Sequence, residues 1–277
     1  MESRVPSDAP GSTRTRNGFS WIEVAPPHPA GPAGAPILLL HGLGLTRTSW
    51  AAQLGALGRR WRVAAWDLPG YGDSEPLPST TLTSLRDAVL HWADALDADR
   101  FHLVGHSLGG MLAQHVGAFA PNRLASLTLI STSPKFGLDG TAPDDWRAAR
   151  LDPLDRGIEP ESFAAAVLGG LAARATRADV LAGQIASMSR ITGVALRAAI
   201  DCVVAHDARA LLGTIAAPTV VLVGSLDEET PLAYAQALVD AIPDAVLEVV
   251  DGAGHLLPAE APDAVNDIIA RHVETHS

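Results

Sequence analysis

From Gly18 onward, short unbroken runs of β-branched and aliphatic residues alternate with longer segments of helical period, and few architectures accept that rhythm. The runs are ILLL at 37–40, VAAW at 63–66, FHLV at 101–104, LTLI at 127–130, VVLV at 220–223 and VLEVV at 246–250. Because most positions in them are apolar, with no polar face, they suit strands covered on both sides. Between them Leu82, Leu85, Val89, Trp92 and Leu96 step by 3, 4, 3 and 4, which puts all five on one face of a covering helix. Further helices are expected after Ser107 and from about 261 to 273. The rhythm fails between about 134 and 212, where Ala, Arg and Leu dominate and turn residues (Ser133-Pro134, Ala216-Ala217-Pro218) stand at both ends. The expected fold class is therefore α/β: a mostly parallel central sheet flanked by helices, with a helical cap insertion. The core is assigned to 18–133 and 213–277, the cap to 134–212, and residues 1–17 to a polar, disordered or extended tail. The proline-rich stretch 25–36 reads as a surface loop.

Composition removes several functions. The chain has 277 residues, 47 % apolar and 18 % charged, ample for a sizeable core. Twenty basic against 31 acidic residues give a net charge of −11 with no basic run, so the footprint of a nucleic-acid binder is missing. No run of about 18 apolar residues is available to span a membrane, and the N-terminus lacks the apolar segment of a secretory signal. Cys202 is the single cysteine, which excludes an internal disulfide and a cysteine-based zinc site and points to a reducing, cytoplasmic setting. No metal or cofactor is expected, and homo-oligomerisation is left open.

The chemistry gathers at strand ends. Gly105-His106-Ser107-Leu108-Gly109 follows one predicted strand and opens a predicted helix, the context in which a G-x-S-x-G segment can lift a serine hydroxyl above the sheet as a nucleophile. A glycine-rich turn with a capping serine is the plain alternative. Serine needs a base, and His255, in the glycine-containing loop after the last predicted strand, is the best placed of ten histidines. The base needs a carboxylate. Asp227 comes first after the strand at 220–223, whereas Glu228 and Glu229 approach Pro231, where an acidic first helical turn is expected. Backbone N–H groups of Leu43, in the glycine-rich 41–44 turn, and of Leu108 are the candidates for an oxyanion hole. His41 and His106 are expected to shape their turns through hydrogen bonds. Within the cap, Phe163, Val167, Leu168, Leu171, Ile185, Met188 and Ile191 are expected to divide between packing on the sheet and lining a pocket.

Five segments taken together resemble the α/β-hydrolase fold superfamily: HGLG at 41–44, DLPGYGDS at 67–74, GHSLGG at 105–110, GSLD at 224–227 and GAGH at 252–255. Ile215-Ala216-Ala217-Pro218-Thr219 before the GSLDEETP loop, Ala241-Ile242-Pro243-Asp244-Ala245, and the Trp146-Arg147 pair are similar to the 3-oxoadipate enol-lactonase branch. Serine at 107 separates the chain from aspartate-nucleophile relatives, the dehalogenases and epoxide hydrolases. The resemblance implies a cofactor-independent serine hydrolase that cleaves a small carboxylic ester or lactone on Ser107, His255 and Asp227. Carbon–carbon bond hydrolysis or a lyase reaction on the same triad, and a ligand-binding relative without turnover, are the alternatives. Asp67 and Asp73 belong to a structural turn. Since an anionic lactone would be repelled by the net charge, Arg147 beside Trp146 is the candidate to hold a substrate carboxylate, unless it is solvated on a helix face.

Overall fold

The computed structural model describes residues 11–26 and 34–277; the first ten residues of the expected tail and residues 27–33 of the proline-rich loop lie outside them. In chain order the elements are β1 (Ser12–Arg16), β2 (Phe19–Val24), β3 (Ile37–Leu40), α1 (Ala51–Leu57), β4 (Val63–Trp66), α2 (Leu82–Ala95), β5 (Phe101–His106), α3 (Leu108–Phe119) and β6 (Leu124–Ile130). A helical insert follows, comprising α4 (Pro143–Asp155), α5 (Pro160–Leu171), α6 (Ala178–Met188), α7 (Gly193–Val204) and α8 (Arg209–Leu212). The chain then closes with β7 (Thr219–Gly224), α9 (Leu232–Ala241), β8 (Val246–Val250), α10 (Leu257–Glu260) and α11 (Pro262–Thr275).

The strands form one eight-stranded sheet in the order β1-β2-β4-β3-β5-β6-β7-β8, antiparallel at β1/β2 and β2/β4 and parallel elsewhere. This is the α/β architecture expected from the sequence, with two strands, β1 and β2, beyond the six runs read there. Ser12–Arg16, read as tail, is an edge strand. All five of its side chains are exposed, so it carries no apolar signal, and its place in the sheet comes from main-chain pairing with β2.

Alternate residues of each central strand feed two separate apolar layers, as the period of two requires. Leu38, Leu40, Leu103, Val221 and Val223 point to the layer built by α2, α3 and α9 and joined by Leu168, Leu196 and Ile200 of the insert. Ile37, Leu39, Val104, Val220 and Leu222 point to the other, covered by α1 and α11. In the first layer Trp66 stacks on Trp92 with centroids 5.4 Å apart. A reciprocal cap starts α2: the Thr81 hydroxyl accepts from the Ser84 N–H at 3.1 Å, and the Ser84 hydroxyl accepts from the Thr81 N–H at 2.9 Å.

Parallel register brings the site together. Leu40 pairs with Gly105, His106 with Ile130, and Gly224 with Val250, so the carboxyl ends of β3, β5, β6, β7 and β8 lie along one edge. The loops leaving β3, β5, β7 and β8 carry the HGLG, GHSLGG, GSLD and GAGH segments, as expected of an open α/β sheet. The insert leaves from β6 and is pinned over this edge. Ser187 of α6 accepts the Thr46 N–H at 2.7 Å, Ile191 bridges Tyr71, and Arg190 pairs with Asp73 at 2.9 Å. The 67–74 turn is structural: buried Asp67 accepts from the N–H groups of Arg47 and Asp73 and is paired with the Arg47 guanidinium.

Candidate active site

Ser107 lies between β5 and α3 with φ 53° and ψ −117°, a left-handed conformation that costs a serine roughly 1–3 kcal/mol. Glycine on either side makes it attainable. A Cβ on Gly105 would land on the Gly109 carbonyl, and a Cβ on Gly109 on the Leu40 carbonyl, so no larger residue fits the turn. The Ser107 main chain is fixed from β6, its N–H donating to the Ile130 carbonyl at 2.9 Å and its carbonyl accepting from the Thr132 hydroxyl at 2.8 Å.

The hydroxyl of Ser107 meets Nε2 of His255 at 3.1 Å, and Nδ1 of His255 meets both carboxylate oxygens of Asp227 at 3.1 Å. The three residues proposed from the sequence therefore form one hydrogen-bonded chain. Burial alone would raise the Asp227 carboxyl, but the His255 ring and the N–H and hydroxyl of Thr230 hold it at about 2. Burial likewise disfavours a charged His255, and the adjoining Asp227 carboxylate outweighs it, so the imidazole sits above its ordinary value. His106 is the opposite case. It is buried, adjoins His255 and is driven down to about 3, so it stays neutral and donates from Nε2 to the His255 carbonyl at 2.8 Å. His41 accepts the Leu68 N–H at 3.0 Å. Both histidines shape turns.

Leu43 lies on the loop facing Ser107: a Cβ on its neighbour Gly42 would stand 3.0 Å from the Ser107 Cβ. Among the described residues its N–H has no hydrogen-bond partner. Leu108 is the first residue of α3, where a helical N–H has no acceptor four residues back. These are the two donors expected at an oxyanion hole.

Ser107, His255 and Leu43 open on a cavity of about 620 Å³ roofed by the insert. Trp146, Phe163, Val167, Leu171 and Met188 line it, while Leu168 and Ile191 are buried in packing. No group of three or more His, Cys, Asp or Glu side chains among the described residues is placed to hold a metal ion. No described helix is long and apolar enough to cross a membrane.

The sequence matches the alpha/beta hydrolase family over residues 37–268. The chain belongs to that family. Among relatives of this α/β hydrolase is a pimeloyl-(acyl-carrier protein) methyl ester esterase of Chromobacterium violaceum, 31 % identical over 88 % of this chain and 96 % of that one. A 3-oxoadipate enol-lactonase of Acinetobacter baylyi is 28 % identical over 88 % of this chain and 91 % of its own. An esterase from Thermogutta terrifontis, solved with malate bound, superposes with a TM-score of 0.83 over 94 % of each chain at 27 % identity.

Two sequence expectations for this hydrolase need correction. Arg147 does not line the cavity: it is 42 % exposed and donates to Asp201 on α7 at 2.5 Å. The arginine that lines the cavity is Arg150, lying flat on Trp146 at 3.6 Å and donating to Glu229 at 2.8 Å. A step of four along α4 from Trp146 reaches it, where a step of one points round the helix, a signal that helical spacing held all along. The glutamates also differ. α9 begins at Leu232 with no acid in its first turn, and Glu228 and Glu229 lie in the preceding loop beside the cavity. Thr230, unremarked in the sequence, donates its hydroxyl to Asp227 at 2.9 Å.

Proposed function

We propose that the protein is a cofactor-independent serine hydrolase that cleaves small carboxylic esters or lactones through an acyl-enzyme on Ser107. The observation that carries this reading is the unbroken Ser107–His255–Asp227 hydrogen-bond chain opening onto the 620 Å³ cavity. Ser107 Oγ attacks the substrate carbonyl while His255 Nε2 takes its proton, and Asp227 stabilises the imidazolium that forms. The N–H groups of Leu43 and Leu108 receive the developing oxyanion. The imidazolium returns the proton to the departing alkoxide oxygen, which leaves as an alcohol or, in a lactone, stays tethered to the acyl group. Water, deprotonated by the same histidine, then attacks the acyl carbonyl, and the acid leaves as His255 returns the proton to Ser107 Oγ. Relatives named as a methyl ester esterase and an enol-lactonase support the bond class. The roof is largely apolar, and Arg150 offers one cationic contact for a substrate carboxylate.

The test is a series of p-nitrophenyl esters and small lactones together with a fluorophosphonate probe. We expect labelling at Ser107 and turnover of short acyl esters, with both abolished in Ser107→Ala, whose kcat should fall on the order of 10⁴-fold or more. Turnover persisting in that variant would dismiss the mechanism.

A further inference from the structure

Glu260 stands where the insert meets the histidine loop. It closes α10, half-buried, five residues beyond His255. Its two carboxylate oxygens accept from the main chain of different segments: Oε1 from the N–H of Ala173, just past α5, at 3.1 Å, and Oε2 from the N–H of Gly254. Alongside, the His255 N–H donates to the Leu171 carbonyl at 3.3 Å. The approach is close enough that a Cβ on Gly254 would stand 2.9 Å from the Ala173 nitrogen. On its other side the loop is held by β5, through the His106 bond to the His255 carbonyl. Residues 254 and 255 are thus clamped between the sheet and the insert, and Glu260 links the two sides, with one bond to the insert at Ala173 and one to the loop at Gly254.

We propose that Glu260 is a positioning residue, holding the His255 loop against the end of α5 so that the imidazole stays within reach of both Ser107 and Asp227. This rests on the serine hydrolase reading of the site. Glutamate suits the task because an ionised carboxylate only accepts, with two oxygens, and can serve two N–H groups at once. Glutamine has one carbonyl oxygen and would present its NH₂ to the other N–H. Charge matters as well. The groups facing His255 are Asp227 and Glu229 from the β7 loop, Glu260 from α10, and neutral His106 from β5, with Arg150 of α4 engaged by Glu229. Glu260 therefore adds to the field that favours the charged imidazole.

Profiles of kcat and KM against pH for the native chain, Glu260→Gln and Glu260→Ala, with Ser107→Ala as control, decide the matter. The expected result is a kcat lowered about ten- to a hundredfold, the scale of a misplaced reacting group, with KM little changed. The acid limb of kcat/KM should also move to lower pH, which a purely structural tie would not cause. A folded Glu260→Gln with native kcat and an unmoved limb overturns the proposal, as does a loss confined to KM. Failure of both variants to fold overturns it too, since the tie would then serve the fold and not the histidine. Residual turnover in Ser107→Ala would instead indict the hydrolase reading, whereas an inert Ser107→Ala beside a native-like Glu260→Gln removes only the role of Glu260.

Discussion

Asp227 accepts hydrogen bonds from the N–H groups of Glu229 and Thr230, the Thr230 hydroxyl and the His255 ring, and no neighbouring glutamate shares that cradle. Asp227→Asn should therefore lower kcat on the order of 10⁴-fold, since an amide cannot fix the histidine tautomer or balance the imidazolium. Glu228→Gln, at an exposed loop position, should stay within a few-fold of native. Steady-state kinetics of the pair separate the two assignments, and a worse loss in the glutamate variant would move the acid. The pH dependence follows from His255. The ring must be neutral to accept the serine proton, and Asp227 raises its pKa above the ordinary histidine value of about 6.5. Activity should fall as pH drops through that raised value, so the acid limb lies on the alkaline side of 6.5. Ser107, Asp227 and His255 were legible in the sequence because each sits in a short motif tied to a strand end. Thr230 and Glu260 were not, because their roles are contacts between segments that only the folded sheet brings together.

At the scale of elements, the central strands were legible as unbroken apolar runs and α2 by its helical period, while β1 was hidden by five exposed residues that join the sheet through main-chain pairing. The insert was visible as a break in rhythm, but not the aspect of its first helix. On α4, Trp146 and Arg150 face the cavity and Arg147 faces α7, so two arginines three residues apart meet different partners. Arg150→Ala should lower kcat/KM selectively for a lactone carrying a distal carboxylate, by about tenfold, the worth of a charge-assisted hydrogen bond near 1.5 kcal/mol. Arg147→Ala should affect anionic and neutral substrates equally. Comparing the two variants on one neutral ester and one anionic lactone checks both statements. Equal values for Arg150→Ala on the two substrates would leave the cavity an apolar pocket with a structural ion pair.

Over the whole molecule, buried histidines set the response of stability to acid. His102 and His206 are driven down to about 4 and His106 to about 3, each chiefly by burial, whereas in the unfolded chain all three titrate near 6.5. As pH falls below 6.5 the unfolded chain takes up protons that the folded chain refuses, so stability drops. His255, shifted upward, opposes this with a single group, and the Asp227 contribution, complete above its ordinary value of 3.8, is lost as pH falls from there toward about 2. Thermal unfolding should show Tm falling steadily between pH 7 and 5; a flat or rising Tm would mean that these rings accept protons in place. The two apolar layers carry a consequence for biosynthesis. One face of the sheet is closed by α1 and α11, and Val265, Ile268, Ile269 and Val273 of α11 share a layer with Ile37 of β3, made more than two hundred residues earlier. Chains leave the ribosome N-terminus first, at about 5–20 residues per second. All eight strands therefore emerge with that face only partly covered, by α1, and the nascent chain carries an open apolar layer until the fourteen-residue α11 arrives.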